Sequence, residues 1–305
     1  MVMLMRQVLI LLTFWTLTVV TGGARAEIPG DLRVLVSIQP LAALTRAILG
    51  DLGQVDTLLP LSASPHHFAL RTSDLRRLRQ AHLVVWMGPA LERPLQKPLA
   101  ARGKDVVLTL VDLEGLHWPA VAARGGGHHS GDRDPHIWLA PRNGIVITEA
   151  IAAHLIRLRP DAEAALRRRA DGLIDELVRL DQRVRERLAA VRDRGFITYH
   201  DGYGHFVQAY DLQQLGYVTK VPDRRPGARH LAAMEQLAAG CLLVDSAYQH
   251  GHAAAIAARW GLALVPLEPF GRERDTYPQL LDRLAENFYV CLNMASKTPD
   301  GDGNG

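Results

Sequence analysis

The sequence predicts an α/β protein with two doubly wound lobes, each a mainly parallel sheet flanked by helices, joined by one long rigid helix. Short aliphatic and β-branched runs alternate with segments of helical period, which is the pattern of α/β units. The 305 residues suit about two domains at ~100–200 residues each. Between the two alternating patterns lies one uninterrupted helical pattern over residues 159–191.

The N-terminal 26 residues are expected to be a secretory signal peptide. Arg6 precedes an apolar run over residues 8–20, and an Ala-x-Ala pattern ends at Ala26, after which cleavage is predicted. A retained anchor helix is the alternative. No cysteine follows the predicted cut, so we expect no lipobox and no lipid anchor.

Composition favours a globular protein that does not bind nucleic acid. Hydrophobic residues make up 48% of the chain and charged residues 22%, as in chains that bury a core. Loss of Arg6 and Arg25 with the signal peptide leaves 33 basic and 32 acidic residues, a net charge of +1. Because no basic stripe interleaves with aromatic residues, nucleic acid is excluded as a partner.

The first lobe is predicted over residues 27–158. Its four strands are expected at 34–38, 54–59, 82–87 and 106–110. Helices are expected between them at 41–49, 75–80 and 91–101, with one more over 142–158. At about 124–133 a Gly/His segment with four glycines is predicted to be a flexible loop, because it has no side chains that could pack a core.

A long helix over residues 159–191 and a second lobe over 192–295 are predicted next. Apolar residues recur at three- and four-residue spacing along the helix, while its remaining face is charged. The helix is either a spine between two lobes or a coiled-coil arm, and the second α/β pattern favours the spine. Strands of the second lobe are expected at 195–199, 216–220, 241–245 and 262–267, and a closing helix at 277–293. The polar tail over 296–305 is expected to be disordered.

Four polar residues that follow predicted strands are candidate ligands: His66, His136, His200 and Glu268. Open α/β sheets bind ligands at the carboxyl ends of their strands, which predicts a cleft between the lobes. Imidazole is the commonest metal ligand in proteins, but the wide spacing excludes a zinc finger, and no H-E-x-x-H motif occurs. Residue type and spacing alone leave open whether these side chains bind metal or serve as capping, core and surface residues.

The two cysteines, Cys241 and Cys291, form an even pair in a chain expected to be exported. Such a pair indicates one disulfide. Two free buried thiols are the alternative.

Several motifs in order give the chain a family resemblance over about residues 32–292. They are Ser64-Pro65-His66 with residues 70–74, residues 83–88, Asp134-Pro135-His136, Tyr199-His200-Asp201 and Leu267-Glu268-Pro269. Together with the Gly/His loop, the long helix and the cysteines, they resemble the ZnuA-like zinc-binding periplasmic proteins of ABC importers, within the cluster A-I metal-binding solute-binding proteins.

The resemblance implies a zinc site made by His66, His136 and His200, with Glu268 or water in the fourth position. Manganese-importing relatives carry a carboxylate in place of the third histidine, and manganese prefers oxygen ligands. Adjacent residues on an extended segment point to opposite faces, so His67 is expected to line the cleft mouth instead of binding the metal.

Further implications of the resemblance concern the loop, the cysteines and the partners. His128 and His129 form either an auxiliary zinc-collecting loop or an ordinary linker, and Cys241 is paired with Cys291. The expected protein is a periplasmic monomer that delivers Zn²⁺ to an ABC permease and is not an enzyme. A periplasmic zinc chaperone is a possible donor of the ion. Alternatives are a manganese- or iron-binding relative, an adhesin, and an exported zinc hydrolase using Asp201 or Glu268 as its base.

Overall fold

Two four-stranded parallel sheets form the framework of the protein. They are seen in a computed structural model that describes residues 32–120, 133–221, 225–246 and 250–294. The predicted signal peptide and the predicted tail lie outside these residues, as do His128 and His129 of the Gly/His loop. The predicted fold class is confirmed.

The first sheet has the strand order β2-β1-β3-β4, and all its neighbouring strands pair in parallel. Its strands are β1 (Leu32–Val36), β2 (Gly53–Thr57), β3 (Leu83–Trp86) and β4 (Val107–Thr109). The second sheet repeats this plan with the order β6-β5-β7-β8. Its strands are β5 (Gly195–His200), β6 (Gln213–Thr219), β7 (Cys241–Asp245) and β8 (Ala263–Leu267). In both sheets, the carboxyl ends of the strands therefore lie along one edge.

Nine α-helices occur in the described parts of the chain. They are α1 (Gln39–Leu49), α2 (Thr72–Gln80), α3 (Gln96–Ala100), α4 (Pro141–Leu158), α5 (Glu163–Ala189), α6 (Gly204–Ala209), α7 (Ala228–Glu235), α8 (His250–Trp260) and α9 (Tyr277–Met294). The helix predicted over 91–101 is wrong in its first half, where a 3₁₀ turn (Arg93–Leu95) precedes the short α3. Pro94 and Pro98 explain the interruption, because proline lacks the N–H that helix interiors require.

The long helix α5 is a spine and not a free arm. Its apolar stripe is buried along its whole length, at Leu166, Ala170, Leu173, Leu177, Leu180, Val184 and Leu188. It packs against α1 and α4 of the first lobe and against α9 of the second. One continuous hydrophobic core therefore runs from the first sheet, along α5, to the second sheet.

The predicted disulfide between Cys241 and Cys291 is present, with 5.6 Å between the Cα atoms and both residues fully buried. It ties the start of β7 to α9, so the last helix is covalently fixed to the second sheet. None of the helices within the described ranges combines the length and apolar content needed to cross a bilayer.

Candidate metal centre

Three of the predicted ligands meet at the carboxyl edges of the two sheets. His66 lies in the loop between β2 and α2, His136 lies just before α4, and His200 is the last residue of β5. Their ring centroids are 5.0 to 5.4 Å apart, and one nitrogen from each ring lies within 4.8 Å of the others. Two lobes thus contribute to one cluster, although the three residues are far apart in the sequence.

Two of the three histidines are buried, and two ring nitrogens of the cluster are unpaired. His136 and His200 are each 5% exposed, and the Nε2 atoms of His66 and His200 have no hydrogen-bond partner. A buried polar atom without a partner costs free energy. A bound cation would give these lone pairs a partner, so the donor set fits a metal ion.

Two carboxylates orient the rings from behind. Nδ1 of His136 lies 2.7 Å from Asp134 Oδ1, and Nδ1 of His200 lies 3.2 Å from Asp245 Oδ2. A carboxylate oxygen that accepts a hydrogen bond here requires the ring proton on Nδ1. This leaves Nε2 of each ring as the lone-pair atom, which is the usual arrangement behind a metal-binding histidine.

Sequence reasoning missed Asp245. A signal was available, because β5 and β7 are neighbouring parallel strands and Asp245 ends β7 as His200 ends β5. Side chains that end neighbouring parallel strands lie at the same edge of a sheet. Pairing Asp245 with His200 also requires the adjacency of β5 and β7, which the sequence pattern does not give.

The surroundings of His66 favour its neutral imidazole form. Burial, followed by the neighbouring His136 and His200, lowers the pKa of His66 from 6.5 to about 2. A neutral ring is the form that binds metal. The adjacent His67 is exposed and is not part of the cluster.

Gly202 allows the two lobes to approach each other at the cluster. A Cβ atom at this position would lie 2.6 Å from Cε1 of His200 and 3.1 Å from Cε1 of His136. Tyr203 and Phe270 also line the cavity beside the rings. The volume of this cavity is about 10 Å³. A cavity of this size admits roughly one water-sized body, so it suits a single ion.

Contacts between the lobes hold the segment that carries His136. The indole N–H of Trp138 donates to the carbonyl of Pro269 at 2.8 Å, and the Tyr277 hydroxyl donates to the Trp138 carbonyl at 2.5 Å. The ring of His205, on α6, makes a 2.9 Å hydrogen bond from Nε2 to the Asp134 carbonyl. Hydrogen bonds with the second lobe therefore hold the residues on both sides of His136.

Glu268 lies apart from the histidine cluster. Its carboxylate lies 3.1 Å from Nε of Arg272 and 3.0 Å from Nε of Arg283. It lines a neighbouring cavity of about 280 Å³, together with Ser62 and Ser246. The two cavities share Pro269 and Phe270. The suggestion that Glu268 is the fourth metal ligand stays a prediction, and the structure shows the carboxylate engaged by two arginines.

The family profile described as "ZnuA: Zinc-uptake complex component A periplasmic" matches residues 34–291. The chain belongs to this family. The resemblance inferred from the sequence motifs is thereby confirmed, as is the prediction of a metal-transport component that is not an enzyme. The family is periplasmic, in agreement with the predicted location.

Similar proteins include two named "High-affinity zinc uptake system protein ZnuA". The one from Haemophilus ducreyi is 31% identical over 289 residues, covering 86% of this chain and 93% of the relative. The one from Yersinia pestis is 30% identical over 290 residues, covering 85% of this chain and 91% of the relative.

Solved structures share the fold. A crystal structure of ZnuA is 24% identical with a TM-score of 0.74, covering 86% of this chain and 99% of that one. The periplasmic zinc-binding protein TroA from Treponema pallidum is 20% identical with the same TM-score and the same coverage of both chains. At these identities the likeness concerns the fold.

Proposed function

We propose that this protein binds one Zn²⁺ ion through Nε2 of His66, His136 and His200 and delivers it to an ABC permease. The observation that carries the proposal is the cluster of three imidazoles, in which the Nε2 atoms of His66 and His200 are buried without a hydrogen-bond partner. The relatives named for high-affinity zinc uptake support zinc as the cargo.

Ligand chemistry supports zinc over manganese. Three neutral imidazoles suit Zn²⁺, whereas Mn²⁺ prefers oxygen donors. In the proposed site, the carboxylates of Asp134 and Asp245 stand behind two of the rings and together balance the charge of the divalent ion. Water completes the tetrahedron, because Glu268 is held by Arg272 and Arg283.

Transport is favoured over zinc-dependent hydrolysis by the space at the cluster. A hydrolase needs room for its substrate at the open metal position, and the cavity beside the histidines measures about 10 Å³. The continuous core along α5 supports capture and release by local movements at the cleft, without a wide swing of one lobe. In this proposal, the chain is exported with cleavage after Ala26 and works as a monomer, and a periplasmic zinc chaperone is an optional donor.

The test is a zinc titration against a competing chelator, comparing His66→Ala with His67→Ala. The wild type should bind one zinc tightly, and His66→Ala should lose more than about 100-fold in affinity, because removing a ligand exceeds the ~10–100-fold typical of outer-sphere changes. His67→Ala removes an exposed neighbouring imidazole and should match the wild type. Equal affinities for His66→Ala and the wild type would refute the site.

The role of the Gly/His loop is tested by deleting residues 125–131. We expect the affinity of the three-histidine site to change by less than about threefold, because three imidazoles from the described residues already converge there. A deletion variant with the affinity of His66→Ala would instead make His128 or His129 a ligand of that site. The same titration at excess zinc shows whether the loop binds a second ion.

A further inference from the structure

We propose that Asp245 is a positioning residue that holds His200 in its metal-binding tautomer, and that Tyr203 holds Asp245. The inference rests on the proposed zinc capture and names part of its machinery. Asp245 touches no metal position itself. It acts through the ring of His200.

The geometry places one carboxylate between two partners. Asp245 Oδ2 accepts the hydrogen bond from Nδ1 of His200 at 3.2 Å, and Oδ1 accepts a hydrogen bond from the Tyr203 hydroxyl. Asp245 and Tyr203 are each 1% exposed. Within the described parts of the chain, the basic side chain recorded beside Asp245 is His200, and no arginine or lysine pairs with it.

A buried carboxylate is costly unless its oxygens are hydrogen-bonded. Here both oxygens are used, and neither bond goes to an arginine or lysine, so the carboxylate is not part of an ordinary structural ion pair. Its backbone is fixed as well, because Asp245 pairs in register with Leu267 of β8 and Cys241 at the other end of β7 is bound to α9. The carboxylate is therefore a rigid acceptor aimed at one ring nitrogen.

This acceptor decides the tautomer of His200. The carboxylate oxygen of Asp245 lies at hydrogen-bond distance from Nδ1 of His200, and this geometry fits a ring proton on Nδ1 that the oxygen accepts. The lone pair then lies on Nε2, which is buried, unpaired and directed into the histidine cluster. The other tautomer would set lone pairs of Nδ1 and Asp245 against each other and would put a proton where the metal binds.

The two supporting carboxylates, Asp134 and Asp245, are placed beside their histidines by different parts of the structure. Asp134 lies two residues before His136 and is therefore placed by local sequence. Asp245 lies 45 residues after His200 on another strand, so its support depends on the folded sheet. Tyr203 reaches it from the turn that follows β5, which locks the carboxylate against rotation.

The experiment reads the tautomer directly in the metal-free protein. Two-bond ¹H–¹⁵N spectra of protein labelled at histidine report which ring nitrogen carries the proton, and His200→Ala identifies the signal. We expect the Nδ1–H tautomer for His200 in the wild type and a mixture of both tautomers in Asp245→Ala. Zinc affinity of Asp245→Ala should fall about 10–100-fold, as for other outer-sphere partners of metal-binding histidines.

Thr198→Ala is the matched control for lost stability. It removes another buried polar side chain from β5, whose hydroxyl accepts a hydrogen bond from Gln214 at 3.0 Å. Its His200 spectrum and zinc affinity should match the wild type. Tyr203→Phe should lower affinity less than Asp245→Ala, and it serves as the test variant if Asp245→Ala does not fold.

The outcomes separate this inference from the proposed function. An Nε2–H tautomer for His200 in the wild type would overturn the inference without any variant. A folded Asp245→Ala variant that keeps wild-type zinc affinity would also overturn it. If Asp245→Ala does not fold, a Tyr203→Phe variant with unchanged spectrum and affinity would overturn it as well. Failure of the wild type to bind zinc would refute the proposed function instead.

Discussion

Substituting Gly202 by alanine tests how tightly the histidine cluster is built. The added Cβ atom would lie 2.6 Å from Cε1 and 2.8 Å from Nδ1 of His200, and 3.1 Å from Cε1 of His136. Ordinary carbon contacts begin at about 3.5 Å, so the ring of His200 or the turn must move by roughly 1 Å. Since Asp245 and β5 hold that ring, the movement is expected to displace its Nε2 atom from the cluster.

The expected size of the effect follows from overpacking. Extra methyl groups in a closely packed site cost about 1–3 kcal/mol. If most of this strain appears when the ligands must converge on the metal, zinc affinity falls about 5- to 150-fold, at 1.4 kcal/mol per tenfold. Strain that is already present without metal would instead lower the midpoint of thermal unfolding.

The assay is therefore a pair of measurements on Gly202→Ala: a zinc titration against a chelator and thermal unfolding of the metal-free protein. Gly172→Ala is the control, because nothing lies within 4 Å of a Cβ atom at that exposed position on α5. It should keep wild-type affinity and unfold at the same or a slightly higher temperature, since alanine favours a helix. Wild-type affinity and thermal midpoint in Gly202→Ala would refute the close approach of the rings.

Two further predictions concern stability. Burial raises the pKa of Glu92 to about 7 from 4.5, although Ser37 and the backbone N–H groups of Met87 and Gly88 act in the opposite direction. The native state thus binds this proton more tightly than the unfolded chain, and the resulting stability, full below pH 4.5, is lost as the pH rises to about 7. Between pH 4.5 and pH 7, the free energy of unfolding of the metal-free wild type, measured in urea, should fall by about 3 kcal/mol relative to that of Glu92→Gln. Parallel pH profiles of the two proteins would contradict the raised pKa of Glu92. Replacing both Cys241 and Cys291 by alanine should lower the free energy of unfolding by about 4 kcal/mol, the value of the chain-entropy model for a separation of 50 residues. The variant should still bind one zinc ion. An unchanged denaturant midpoint would contradict this prediction.

Much of the fold was determined by local sequence. Strand and helix periods predicted all eight strands and the spine α5, because each element has to bury one apolar face and its pattern records that face. The error at α3 also has a local cause, since two prolines interrupt a segment that otherwise has helical character. The motif residues His66, His136 and His200 were also identified from sequence, and the structure brings them together.

The tertiary structure alone decided that Asp245, from another strand, lies behind His200. Asp245 acquires its place from the adjacency of β5 and β7, which no local period encodes. Glu268 is adjacent in sequence to residues that line the histidine cavity, yet its side chain turns to Arg272 and to Arg283 on α9. The choice between a metal and an arginine depends on where other charges lie in space. Sequence therefore determined the elements and the three imidazoles, whereas packing of distant strands and helices determined their charged surroundings.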